Sequence, residues 1–231
     1  MKTNINPQLI IRGDYESLPD NIIGVAVTLN LDEVQNPINH SGIFIRYNNS
    51  NYLLHFNREA IELVEIPEDS LVFFKQISVP TGFILSTYHF FTQIIKRKVP
   101  EYGYFYSGSF YDETTLDFID GHGMPEIMSC VGFCLNVMKT VLRGKDFIKY
   151  TDWNYHDGLT EDKVLRYFMK AKKSYPDLDM DEYIKYVRRI LPIEYFTAGF
   201  EVEAKIPVRK TFTDANIRIV DKMIMDRVAS A

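Results

Sequence analysis

The chain has 231 residues, of which 46% are hydrophobic, 14% aromatic and 25% charged, a profile that fits a folded protein with its own core and excludes a disordered one. A formal net charge of −5, with Lys and Arg scattered along the chain, excludes the basic stripe that a nucleic acid would select. No apolar run approaches the roughly 18 residues of a membrane-spanning helix, and the length suits one large domain or a catalytic domain of about 150 residues with an extension.

In chain order, Met1 to Pro7 lacks the apolar stretch of a secretory signal, so the expected location is the cytoplasm. Ile22 to Leu29 is β-branched and bounded by Asn, which predicts a buried strand, and Leu31 to Asn39 is polar and loop-like. Ser41 to Tyr47 and Tyr52 to Phe56 are β-formers around the turn-forming Asn48-Asn49-Ser50-Asn51, so a hairpin is predicted, and Ala60 to Ile66 and Leu71 to Val79 extend the sheet. A helix is predicted from a Thr81 cap to about Arg97, with Phe83, Thr87, Phe90, Phe91 and Ile94 on its apolar face. The Tyr- and Gly-rich stretch from Tyr102 to Tyr111 reads as an ordered loop or a bulged hairpin, and its aromatics could line a groove or bury against a helix.

Ser129 is a good N-cap, apolar residues follow it at near-helical spacing to Val141, and Gly144 supplies the stop. Further helices are predicted over Glu161 to Lys173 behind Thr160, over Met180 to Leu191 behind the capping box Asp179-x-x-Glu182, and over Asp214 to Val228, with a strand-like Phe200 to Val208 between the last two. The pattern as a whole predicts an α+β fold: an antiparallel sheet packed on helices over residues 1–150, followed by a mainly helical extension over 151–231 packed on it.

Chemistry centres on Cys130, the first residue inside a predicted helix. A thiol attacks as its thiolate, and the free N–H groups and positive end of a helix lower a thiol pKa while offering donors to an oxyanion. Cys134, one turn deeper, reads as a small buried residue, and that is also the plain reading of any cysteine. The pair sits four apart in one helix, poor geometry for a disulfide. A zinc site is a weak rival, because the two-residue gap and a second thiol pair are both missing, and no metal or cofactor is expected.

A nucleophilic thiol needs a base and a group to orient it. Among five histidines, His40 opens the first hairpin strand and His55 lies near the end of its partner. Their odd separation across an even loop puts both on one sheet face. A turn centred on Asn49 and Ser50 would set His55 opposite Phe44, about 13 Å along the strand from His40; contact requires the turn to shift towards Tyr47 and Asn48, or a bulge. His122 reads as a turn residue, His89 as helical and His156 as loop.

His40-Ser41-Gly42-Ile43-Phe44-Ile45 with Leu53-Leu54-His55 resembles the base strand and following strand of the NlpC-type papain-like superfamily, and Ser129-Cys130-Val131-Gly132-Phe133 resembles its nucleophile motif. Here the cysteine follows the histidine, as in the circularly permuted branch of lecithin:retinol acyltransferase-like proteins. The resemblance covers about Ile22 to Arg143 and departs from the usual pattern at Val131, where members commonly carry a small polar residue. It implies a permuted papain-like core, with Cys130 as nucleophile, His40 as base and His55 as the polar third member. It also implies a thioester route on an amide or peptide, with lipid acyl hydrolysis or transfer second. The competing class is a binding module that keeps the fold without catalysis, its extension docking a protein partner.

Overall fold

A computed structural model of the protein describes residues 18–30, 37–67, 70–79, 81–103, 105–156, 159–201 and 206–229. The fold is α+β, built on a five-stranded antiparallel sheet in the order β4-β3-β2-β1-β5. Its strands are β1 (Ile22–Leu29), β2 (Ile38–Tyr47), β3 (Ser50–Phe56), β4 (Ile61–Glu65) and β5 (Val72–Gln76). The helices are α1 (Ile84–Ile94), α2 (Cys130–Val141), α3 (Glu161–Ser174), α4 (Met180–Tyr186), α5 (Pro192–Ala198) and α6 (Lys210–Ala229). Two short pairs complete the β-structure, parallel β6 (Glu101–Tyr102) with β9 (Ile127–Met128), and antiparallel β7 (Phe110–Tyr111) with β8 (Phe118–Ile119).

Side chains alternate between the two faces of the sheet, because successive residues of a pleated strand point to opposite sides. Val25, Val27, Ile43, Ile45, Leu54, Phe56 and Phe73 join one core with residues of α1, α2, α5 and α6. Ala26, Phe44, Leu53 and Phe74 form a smaller cluster on the other face, where the Phe44 and Phe74 rings stack at 3.9 Å. Each such fully buried Phe contributes about 2 to 3 kcal/mol of transfer free energy, which explains why β1 and β2 read as apolar on both sides. The first core runs without a break past residue 150, taking in Trp153, Ile190, Tyr195, Phe196, Val220 and Ile224. A third cluster joins Phe105 to Phe168 of α3 and Tyr183 of α4.

The hairpin differs from the sequence expectation by one position. Its turn is the two-residue Asn48-Asn49, both left-handed at φ 51° and 61°, and Tyr47 pairs with Ser50. Two central residues at positive φ give the turn whose twist matches that of the flanking strands, and Asn tolerates the conformation. The consequence is a register that sets His55 opposite Gly42 rather than Phe44.

Other boundaries shift for local reasons. Thr81 to Phe83 form a 3-10 turn, and α1 proper starts behind Phe83 without a side-chain cap. The helix expected over Met180 to Leu191 ends at Tyr186, because the backbone of Arg188 pairs with Tyr106 in both directions at 2.8 Å. Asp179 caps α4 as expected, accepting from the amides of Asp181 and Glu182. Pro192 then opens α5, in a stretch to which the sequence reading assigned no element. The strand expected over Phe200 to Val208 lies partly outside the described residues; Phe200 closes α5, and Val208 makes a single parallel bridge to Ile148. Phe105, Tyr106 and Tyr111 are buried, so the aromatic stretch is mainly core rather than groove. Among the described residues, no helix is long and apolar enough to cross a membrane.

Candidate active site

The shifted turn brings the two histidines together. With His55 opposite Gly42, His40 is two residues further along β2 and on the same face, a diagonal neighbour across the hairpin. His40 Nε2 and His55 Nδ1 lie 2.9 Å apart, and the rings meet edge to face with centroids 5.0 Å apart. The β2–β3 ladder stops at Gly42 and His55, so His40 stands at the open end of the hairpin.

Behind His55 is a residue that the sequence reading passed over. Glu62 on β4 is its direct cross-strand partner, and Glu62 Oε2 lies 3.6 Å from His55 Nε2. Asn57 Nδ2 donates to the same Oε2 at 2.5 Å, while Asn57 Oδ1 accepts from the amides of Glu59 and Ala60 and so ties the carboxylate to the β3–β4 turn. Burial pushes His40 down to about 4, and the nearby charges of His55 and Arg58 act in the same direction. His55 is also lowered by burial, partly offset by the negative charge of Glu62. Both imidazoles are therefore neutral at pH 7, and in their mutual bond one ring donates while the other accepts.

Cys130 sits where the sequence places it. Ser129 caps α2, its hydroxyl accepting from the Gly132 amide at 3.0 Å. Gly132 allows the first turn to lie close to the backbone ahead of it, since a Cβ there would come within 2.7 Å of the Phe105 carbonyl oxygen. The thiol is only 6% exposed, and this corrects the expectation of a lowered pKa. Burial raises the Cys130 thiol above the usual range; the amides of Ser41, Val131 and Cys130 and the Ser41 hydroxyl favour the thiolate but do not overcome it. The helix terminus supplies the donors foreseen, yet the lost hydration of a buried thiolate outweighs them. Cys134 is fully buried and pushed further up, with the Tyr195 hydroxyl beside it.

The structure thus joins His40 to His55 and sets Cys130 against Ser41, the next residue along β2 after His40. No hydrogen bond joins the Cys130 sulfur to either imidazole. By strand alternation His40 leaves the sheet on the face of Phe44, while Ser41 faces Cys130 and the core that α2 covers. The Ser41 amide beside the sulfur is covalently attached to the carbonyl carbon of His40, so the thiol and the His40 ring belong to neighbouring positions of β2 but to opposite faces of the sheet. The Ser41 hydroxyl is buried, and the Cys130 thiol is the group it faces.

The other histidines lie elsewhere. His122 is in a turn, its amide bonded to Asp120 Oδ1 and its ring stacked on Tyr186 at 3.8 Å. His89 and His156 are exposed. Among the described residues, no three His, Cys, Asp or Glu side chains converge as a metal site.

Glu62, Arg58 and Ser41 are the neighbours that sequence reasoning missed. Glu62 could have been found, because the residue facing His55 follows once the β3–β4 turn is placed at Asn57 to Ala60. Comparisons with protein-family models, with curated proteins and with solved structures find no match for this chain.

Proposed function

We propose that the protein is a cysteine-dependent hydrolase of an amide or peptide bond, with Cys130 as nucleophile, His40 as base and His55 as the group that orients the base. The observation that carries this reading is the 2.9 Å bond between His40 Nε2 and His55 Nδ1 on a strand whose next residue, Ser41, abuts a thiol at the start of a capped helix. The bond occupies one ring nitrogen of His40 and leaves Nδ1 for the thiol, the division of labour that a base and its orienter require. The arrangement also fits the resemblance to the permuted papain-like superfamily.

A raised thiol and a lowered imidazole rest as neutral SH and neutral ring, not as a preformed ion pair. Proton transfer then accompanies attack. The step requires the His40 ring to swing round the open end of the hairpin to the α2 face as substrate binds, which brings Nδ1 to hydrogen-bonding distance of the sulfur. His40 Nδ1 takes the thiol proton, the sulfur forms a bond to the carbonyl carbon, and the C=O pair moves onto oxygen, where amides of the first turn of α2 are the available donors. His40 returns the proton to the leaving nitrogen as the C–N bond breaks. Water then adds to the thioester with His40 as base, releasing the acid and restoring the thiol.

The test is mapped alkylation with iodoacetamide. Cys130 is expected to react faster than Cys134, with a rate that rises through alkaline pH because the thiol starts protonated, and His40→Ala is expected to slow it. A second reading, a binding module without catalysis, draws on the burial of Cys130 and the absence of a bond to His40. Slow alkylation of both cysteines, unaffected by His40→Ala, would decide for that reading.

A further inference from the structure

We propose that Glu62 is a positioning residue that sets the tautomer of His40 through His55; the inference rests on the reading of His40 as base. Two neutral imidazoles that share the His40 Nε2 to His55 Nδ1 contact have only two tautomer combinations. In the first, His40 donates from Nε2, His55 accepts at Nδ1 and carries its proton on Nε2, and His40 Nδ1 keeps a free lone pair. In the second, His55 donates from Nδ1, its Nε2 lone pair faces outward, and His40 carries its proton on Nδ1. Only the first leaves His40 able to accept a proton from the thiol.

The surroundings of His55 choose between them. The Glu62 Oε2 faces His55 Nε2 at 3.6 Å, a separation longer than an ordinary hydrogen bond, at which the carboxylate acts mainly through its charge. It attracts an N–H on that nitrogen and repels a lone pair, so it favours the first combination. The carboxylate is not free to turn away, because Asn57 Nδ2 holds the same oxygen and Asn57 is itself fixed by the two turn amides. The remaining charge near the pair is Arg58, which acts on His40 and packs its guanidinium 4.7 Å above the Tyr102 ring.

Long-range proton–nitrogen NMR on the nitrogen-15-labelled full chain reads the tautomers directly at neutral pH. The expected result is an Nε2–H form for both His40 and His55 in the wild type. A mixture containing Nδ1–H forms is expected in Glu62→Ala, and a larger Nδ1–H share in Glu62→Lys, whose cation would attract the lone pair. Glu62 is partly exposed, so neither variant threatens the core. Alkylation of Cys130 by iodoacetamide is expected to slow about tenfold in Glu62→Ala, within the usual cost of losing such an outer partner. Unchanged tautomers in both variants would overturn the inference. Altered tautomers with no change in alkylation would leave Glu62 in control of the ring pair and would instead remove Cys130 from partnership with His40.

Discussion

The first and second turns of α2 each carry a cysteine, and they show what a helix terminus can and cannot do. Cys130 has the free amides of the first turn and the Ser41 amide and hydroxyl around it, and these draw its pKa down against the push of burial. Cys134, one turn on, has only the Tyr195 hydroxyl and its own amide to favour the thiolate, while the charge of Cys130 adds to the push of burial, so its pKa is driven further up. The lesson is that position on a helix grades two buried thiols relative to one another, whereas hydration decides where both lie on the pH scale.

The comparison breaks most visibly at the base. His40→Ala is expected to lower turnover of a thioester-forming substrate by about 10²- to 10⁴-fold, the usual worth of a positioned general base, while Cys134→Ala retains turnover; equal losses in the two variants would erase the distinction between the turns. Next in size is a pH effect on stability. His40 falls from an ordinary 6.5 to about 4 on folding, so the unfolded chain binds the extra proton between those values. The stability held above pH 6.5 is therefore lost as pH falls towards 4, by roughly 3 kcal/mol. Urea midpoints across that window should show the loss in the wild type and a smaller one in His40→Gln.

Smaller still is the helix cap. Ser129→Ala removes the acceptor for the Gly132 amide and is expected to cost about 1 kcal/mol, measured by chemical denaturation. It should also slow alkylation of Cys130 more than that of Cys134, since the first turn alone depends on the cap. A uniform effect on both thiols would mean that the terminus does not distinguish them.

Legibility from sequence varied with the range of the interaction. The N-cap at Ser129 was readable because a serine followed by a run at helical spacing is a local pattern, and the structure returns its bond to Gly132. The meeting of His40 and His55 was readable only up to the position of the turn: parity put both rings on one face, but a one-residue change in turn placement moves a cross-strand partner by two positions. Helix α5 fell in a stretch left unassigned, and the expected helix ran on through Val187 to Leu191 because what breaks it there is the backbone of Arg188 pairing with Tyr106, a partner far away in the chain. Glu62 was overlooked because a single acidic residue on an edge strand carries no local mark of the ring that it faces.

What the sequence determined by itself was the class of fold, the strands of the hairpin and the start of α2, since alternation, helical spacing and caps are properties of neighbouring residues. Only the tertiary structure decided that the histidines touch, that Ser41 separates His40 from the sulfur, and that Cys130 is too buried to rest as a thiolate. Those outcomes depend on register and on exclusion of water, and both arise from segments that approach one another only after the chain has folded.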